Sequence, residues 1–236
     1  MLGKDHILLS IATMMIFLVP AFFINFTDII YLVVLVFVVG IGALIPDADC
    51  GGKATLYYRY PMIDHFMKAI TKPIVWGFGV LVSKKKIKTE YEVKEEHRGI
   101  MHSPIGVLIS TIFLIIPVII FMLFIKEFSF GILLMIFFGL LIGQFLHLLQ
   151  DSCTIAGINW MFPFGTKEIK GGIYTFDKQD KRPQMFSSIL FGLVILIVLG
   201  YSFNKININP YLLYLLLIII TGGIWAMILF MSKHKR

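Results

Sequence analysis

The stretch FGILLMIFFGLLIGQFLHLL, residues 130–149, decides the class of this protein. It is a continuous apolar run in which His147 is the only ionisable residue. A helix needs roughly 20 such residues to cross the apolar core of a bilayer, and a run without alternating polar residues does not form a barrel strand. The stretch therefore predicts a transmembrane helix with one histidine inside the span.

Further apolar blocks of similar character occupy much of the remaining chain. They are 7–24, 29–45, 105–125, 186–203 and 211–231. Of the 236 residues 58% are hydrophobic and 15% are charged, a composition that excludes an ordinary soluble domain. We predict an all-α, polytopic integral membrane protein with about six transmembrane helices. We expect a single membrane domain over 1–236, in which 1–165 carry the motifs described below and 166–236 hold a cytoplasmic loop and the last two transmembrane helices.

The distribution of Lys and Arg predicts the orientation of these helices. With six spans, all but two of the 21 basic residues, Lys126 and Lys205, lie on the side that holds both termini. Cytoplasmic loops retain positive residues, so we expect a multi-pass protein of the cell (inner) membrane with both termini in the cytoplasm. The net charge of +7 then reflects this bias and attraction to anionic lipid, and no nucleic-acid partner is expected. No pattern in the sequence indicates an oligomeric state.

The first long loop, 46–104, has a membrane-associated character of its own. Its stretch 60–73 places apolar residues at helical spacing, which suits a short helix lying in the interface. The next apolar run, 73–82, is too short to cross a bilayer. We therefore expect an interfacial or re-entrant segment in this loop.

Histidines and aspartates gather at the cytoplasmic ends of four predicted spans. The set consists of His6, Asp47, Asp49, His97, His102, His147 and Asp151. His147 and Asp151 are four residues apart and share one helix face. Neutral imidazole and carboxylate are common protein ligands for a catalytic divalent ion. The set therefore predicts a divalent metal site at the cytoplasmic face.

Several of these residues also have a simpler, structural interpretation. A single aspartate at the end of a span is more often a solvated cap, and His6 alone could be an interfacial side chain. His147 lies inside a span, where an ionisable residue indicates function. Arg98 could anchor a lipid phosphate or clamp a substrate, while Ser103 and Pro104 predict the N-cap and first turn of the third span. The occurrence of all these residues at one membrane face favours a single site.

Three motifs carry a resemblance to a known family. GALIPDADC (42–50), HRGIMHSP (97–104) and HLLQDSCTIAGINWMFPF (147–164), with a histidine before the first span, resemble the YdjM-like family of membrane-bound metal-dependent hydrolases, formerly a domain of unknown function. The resemblance covers about 1–165. Met101 stands where the family usually has Thr, and Cys50 where many members have His, which leaves open whether the Cys50 thiolate binds metal.

The resemblance implies that the seven residues of the set are metal ligands or direct neighbours of the metal. The expected cofactor is a divalent metal, with Zn²⁺ first and Mn²⁺ or Mg²⁺ as alternatives, in a site for one to three ions. We assign catalytic roles to Asp49, His97 and Arg98, the last of which would hold developing negative charge.

The predicted function is hydrolysis at the cytoplasmic membrane face. We expect metal-activated water to attack a phosphoester or ester of a lipid head group, with membrane lipid as the substrate. One alternative is a divalent-cation transporter, which would place its ligands near the bilayer midplane with access from both sides. The other is a metal-binding membrane scaffold. The clustering of the candidate ligands at one face favours the hydrolase.

Overall fold

The computed structural model describes residues 1–25, 29–49, 100–165, 167–174, 180–203 and 208–233, together with isolated positions between these ranges. These ranges contain six α-helices of 14 residues or more: α1 (Gly3–Asn25), α2 (Ile29–Gly42), α3 (Pro104–Phe124), α4 (Phe130–Asp151), α5 (Arg182–Ser202) and α6 (Pro210–Lys233). Two short 3-10 helices, Ile45–Asp49 and Ile100–His102, follow α2 and precede α3. The predicted interfacial segment lies outside the described residues, apart from isolated positions.

The all-α membrane class predicted from the sequence is confirmed. The helices α1, α3, α4, α5 and α6 are each long and apolar enough to cross a membrane, and the described ranges contain no β-strand. The block 29–45 differs, because α2 has only 14 residues and is therefore about 21 Å long. Pro46 explains where the α-helix stops, since a proline has no amide hydrogen to donate and its ring blocks a continuing α-helix.

The outer faces of the helices are apolar and their contact faces contain small and polar residues. Ile120 of α3, Leu196 of α5 and Ile219 of α6 are each at least 60% exposed, whereas Ser110 and Thr111 of α3 are fully buried. Exposed apolar surface of this extent fits a lipid solvent, where helix association depends on close packing and interhelical hydrogen bonds.

Helices α1 and α4 lie at the centre of the bundle. Helix α1 packs against α2, α4, α5 and α6, and α4 packs against α1, α2 and α3. The largest buried cluster joins Leu9 and Ile16 of α1 to Phe186 and Leu190 of α5 and to Ile228 of α6. The first residues of α1 lie beside the last turn of α4, since the His6 side chain is hydrogen-bonded to Gln150.

Glycines allow α2 and α4 to approach closely. Gly139 and Gly143 are four residues apart on α4 and both face α2. A Cβ atom on Gly143 would overlap the carbonyl oxygen of Val39 and would lie 2.9 Å from both Ala43 N and Gly42 Cα. Such small residues at a helix contact let two backbones touch. This contact holds the carboxyl end of α2 against the last turns of α4.

The start of α3 is capped as the sequence predicts. Ser103 Oγ accepts a hydrogen bond from Gly106 N at 3.1 Å, and Pro104 is the first helical residue. The same hydroxyl donates to the carbonyl oxygen of Ile100 at 2.7 Å. These two hydrogen bonds tie the short helix Ile100–His102 to the first turn of α3, and so fix the position of His102.

Candidate metal centre

Part of the predicted set comes together at one end of the bundle. The residues that meet are His6, Asp47, His102, His147 and Asp151, and each is at most 7% exposed. They come from the start of α1, the two short 3-10 helices and the end of α4. The Asp49 side chain, His97 and Arg98 lie outside the described residues, so their assigned roles stay predictions.

Two histidine nitrogens and two carboxylate oxygens form a closed ring. His102 Nε2 lies 3.6 Å from Asp47 Oδ1 and 3.8 Å from Asp151 Oδ2. His147 Nε2 lies 3.7 Å and 3.9 Å from the same two oxygens. Tetrahedral ligands about 2.1 Å from a zinc ion would be about 3.4 Å apart, so neighbouring atoms of the ring are a few tenths of an ångström farther apart than in a loaded site. Asp47, His102 and His147 offer ligand atoms that could hold a metal ion between them, and Asp151 Oδ2 lies beside the two histidine nitrogens.

His6 lies near the oxygen of Asp151 that is not part of the ring. Its Nε2 atom lies 3.4 Å from Asp151 Oδ1, whereas His147 faces Asp151 Oδ2. The imidazole rings of His6 and His147 are stacked, with centroids 3.8 Å apart and planes inclined by 18°. Asp151 Oδ1 also accepts a hydrogen bond from the α-ammonium group of Met1 at 2.8 Å. The two oxygens of one carboxylate therefore have different neighbours.

Hydrogen bonds at the outer nitrogens determine the tautomers of two histidines. His147 Nδ1 lies 2.7 Å from the carbonyl oxygen of Ala43, which can only accept, so Nδ1 carries the proton and Nε2 the lone pair. His6 Nδ1 lies 2.7 Å from Gln150 Oε1. The Gln150 amide nitrogen donates to Ser10 Oγ at 2.9 Å, which orients Oε1 as the acceptor toward His6.

The inner nitrogens of these two histidines fit metal ligands. Within the described part of the chain, neither His6 Nε2 nor His147 Nε2 makes a hydrogen bond, although both are buried. A buried lone pair without a donor is rare in folded proteins. Metal-binding histidines characteristically donate the other ring N–H to a carbonyl or amide oxygen, as both do here.

The charges at the site also favour a cation. Asp47 and Asp151 are buried side by side with the histidines, and buried carboxylates are costly unless positive charge lies nearby. The inner nitrogen of His147 is a neutral lone pair, so it does not compensate the charge of Asp47, and a bound cation would supply that compensation. The ionised carboxylate is the form that binds a metal.

Residues that orient the candidate ligands were not identified from the sequence. Gln150 and Ser10 hold His6, the backbone carbonyl of Ala43 holds His147, and Gly143 permits that contact. A signal was present for Gln150, since an amide beside Asp151 in the last turn of an apolar helix requires a partner. A signal was also present for Gly143, because the glycines of GLLIG are four residues apart, a spacing typical of close helix contacts. No sequence pattern distinguishes the carbonyl of Ala43.

Gln144 and Thr154, which lie near His147 and Asp151 in the chain, have structural partners. Gln144 accepts from Ser110 Oγ at 2.5 Å and donates to Thr111 Oγ1 at 2.8 Å, which joins α4 to α3. Thr154 Oγ1 donates to the carbonyl oxygen of Asp151 at 2.7 Å. These side chains support the helices around the site.

Comparison with known families agrees with the fold and the motifs. No curated protein and no solved structure matches the chain. A family model described as YdjM inner membrane protein matches residues 1–231, a range that includes all six helices except the last two residues of α6. Because the match extends over nearly the whole chain and includes every histidine and aspartate of the buried cluster, this membrane protein belongs to the YdjM inner membrane protein family.

Proposed function

We propose that this protein is a membrane-embedded, metal-dependent hydrolase that acts at the cytoplasmic face on a phosphoester or ester of a lipid head group. One observation carries the proposal: His6 and His147 each bind an acceptor through Nδ1 and turn a buried, unbonded Nε2 toward a carboxylate, within the described residues. A divalent ion, Zn²⁺ first and Mn²⁺ or Mg²⁺ as alternatives, would supply Lewis acidity and an activated water near neutral pH.

The residues of the chain have separable roles in this proposal. The ring of His102, His147, Asp47 and Asp151 would hold the ion. Gln150 and the Ala43 carbonyl would keep the outer nitrogens protonated, so that the inner nitrogens face the ion.

The remaining catalytic roles fall to side chains that the structure does not describe. Asp49 and His97 are the candidates for proton transfer. Arg98 would hold the negative charge that develops on the substrate, because its planar guanidinium can donate two parallel hydrogen bonds to a phosphate or carboxylate.

The depth of the cluster supports surface chemistry over transport. Its residues lie where α1 begins and α4 ends, together with the 3-10 helices that flank α2 and α3. A transporter needs ligands near the bilayer midplane with access from both sides.

The cytoplasmic orientation of this end rests on the distribution of basic residues and can be tested by labelling. A membrane-impermeant thiol reagent should label Asn207→Cys from outside the cell and should not label Lys178→Cys. The reverse pattern would place the site on the outer face and contradict the cytoplasmic assignment.

The function is tested by loading the purified protein in detergent with Zn²⁺ or Mn²⁺ and measuring hydrolysis of phospholipids and other phosphoesters. His147→Ala and Asp151→Ala should each lose the metal ion held by the ring, and with it hydrolysis, but stay folded. His234→Ala, in the carboxyl-terminal tail, is the matched control and should keep both. If the loaded protein hydrolyses no ester but carries Zn²⁺ into proteoliposomes, the transporter is the correct alternative.

A further inference from the structure

We infer that the centre has two cation positions that share Asp151. The first lies at Asp151 Oδ2, within the ring that includes Asp47, His102 and His147. The second lies at Asp151 Oδ1, beside His6. The inference rests on the metal site of the proposed function and adds the number of ions and the division of the ligands between them.

The stacking of His6 on His147 excludes a single ion bound by both rings. The lone pair of an imidazole nitrogen lies in the plane of its ring. The two rings are nearly parallel, with an inclination of 18° and centroids 3.8 Å apart. An ion about 2.1 Å from both Nε2 atoms would lie far out of each ring plane. An ion that binds one Nε2 atom in the plane of its ring therefore cannot also bind the other in this way.

Two possible groups of metal ligands both include His147, and this also supports two cation positions. Two groups of side chains offer ligand atoms within 4.8 Å of one another: His6, His147 and Asp151 form one, and Asp47, His102 and His147 the other. His147 has only one nitrogen for a metal, because its Nδ1 donates to the Ala43 carbonyl. It can therefore complete only one of the two groups.

Asp151 can serve both positions because a carboxylate has two oxygens. Oδ2 faces His102 at 3.8 Å and His147 at 3.9 Å, while Oδ1 faces His6 at 3.4 Å. Metal pairs in hydrolytic sites are about 3.5–4 Å apart, which is the spacing of the two stacked imidazole rings. A carboxylate that links two ions and stacked histidines that bind one ion each are consistent with this spacing.

Asp151 Oδ1 lies beside a positive charge that is not part of the ring formed by Asp47, His102, His147 and Asp151 Oδ2. In this structure the α-ammonium group of Met1 lies 2.8 Å from Oδ1, and both groups are buried. The other oxygen, Oδ2, is directed at His102 and His147. The second position therefore already suits a cation, and a metal ion there would displace the ammonium group.

The experiment measures how many ions the protein binds. Wild-type protein in detergent is titrated with Zn²⁺, freed of excess metal by dialysis and analysed for zinc per chain. We expect two zinc ions in wild type and one in His6→Ala. His6→Gln, which keeps a polar side chain near Gln150, should also bind one. His234→Ala is the control and should bind two. The thermal unfolding midpoint of each variant shows whether it is folded.

A second measurement uses Mn²⁺ and paramagnetic resonance. Two ions linked by one carboxylate should give a spin-coupled signal in wild type, and His6→Gln should give the signal of isolated Mn²⁺. One zinc ion in the wild type, or loss of all zinc from folded His6→Gln, would overturn the inference. A wild type with two ions and no hydrolysis refutes only the proposed function, whereas active protein with one ion refutes only the two-position inference.

Discussion

Gly143→Ala tests whether contact between two helix backbones builds the metal site. The added Cβ would lie 2.9 Å from Gly42 Cα, where ordinary contacts begin at 3.4 Å, and it would overlap the carbonyl oxygen of Val39 more severely. Helix α2 must therefore withdraw from α4 by about 1 Å to restore van der Waals distances. The hydrogen bond from His147 Nδ1 to the Ala43 carbonyl is 2.7 Å long, and a shift of this size would break it.

The expected result has two parts. Overpacking at a tight contact lowers the free energy of unfolding by about 1–3 kcal/mol. Loss of the acceptor that orients His147 weakens metal binding by about 10–100-fold. The assay is competition for Zn²⁺ with a chelator of known affinity, together with the thermal unfolding midpoint in detergent.

Gly222→Ala is the matched control, because it makes the same change in α6 where nothing lies within 4 Å of the added atom. This variant should keep the zinc affinity of wild type and should lose no stability, since alanine favours a helix more than glycine does. If Gly143→Ala also keeps both, the close contact between α2 and α4 does not position His147, and the account of the site given above is wrong.

Three further substitutions test separate parts of the structure. Ser103→Ala removes the cap of α3 and should destabilise the protein by about 0.5–2 kcal/mol, measured by thermal unfolding; Ser188→Ala on α5, where the residue is exposed, should not. Gln150→Leu should weaken zinc binding beside His6 about 10–100-fold in the chelator assay, and Gln150→Glu should restore it. If Gln150→Leu binds zinc as tightly as wild type, Gln150 does not orient His6. At the start of α5 the Arg182 guanidinium donates hydrogen bonds to the carboxylate of Asp180 and lowers its pKa. Asp180→Asn should therefore lower the unfolding midpoint near neutral pH, and the difference from wild type should shrink as pH falls below the ordinary Asp pKa of about 3.9. A constant difference across this range would show that the charge of Asp180 does not stabilise the fold.

The helices could be predicted because each depends on neighbouring residues. An apolar run longer than a bilayer core specifies a span wherever the run occurs, and Ser103 caps α3 through atoms only three residues away. The length of α2 was the exception. Hydropathy extends the block to residue 45, but the chain turns after Gly42 and continues as a 3-10 helix, a change that hydropathy does not detect.

The candidate site was predictable in its residue types and only partly in its geometry. His147 and Asp151 share a face because residues four apart always do on an α-helix, and the sequence alone determines that. The sequence also determines that histidines and aspartates lie at the ends of apolar runs, since both features are local.

Only the tertiary structure decides which of these residues meet and through which atoms. Asp47 and His102 are far apart in the chain, and their approach depends on glycines that let α2 contact α4 and on the hydrogen bonds that hold His102 against α3. The opposed neighbours of the two Asp151 oxygens depend on the packing of α1 against α4. Periodicity and hydropathy describe one helix at a time, whereas a metal site requires several helices to be in register to within a few tenths of an ångström.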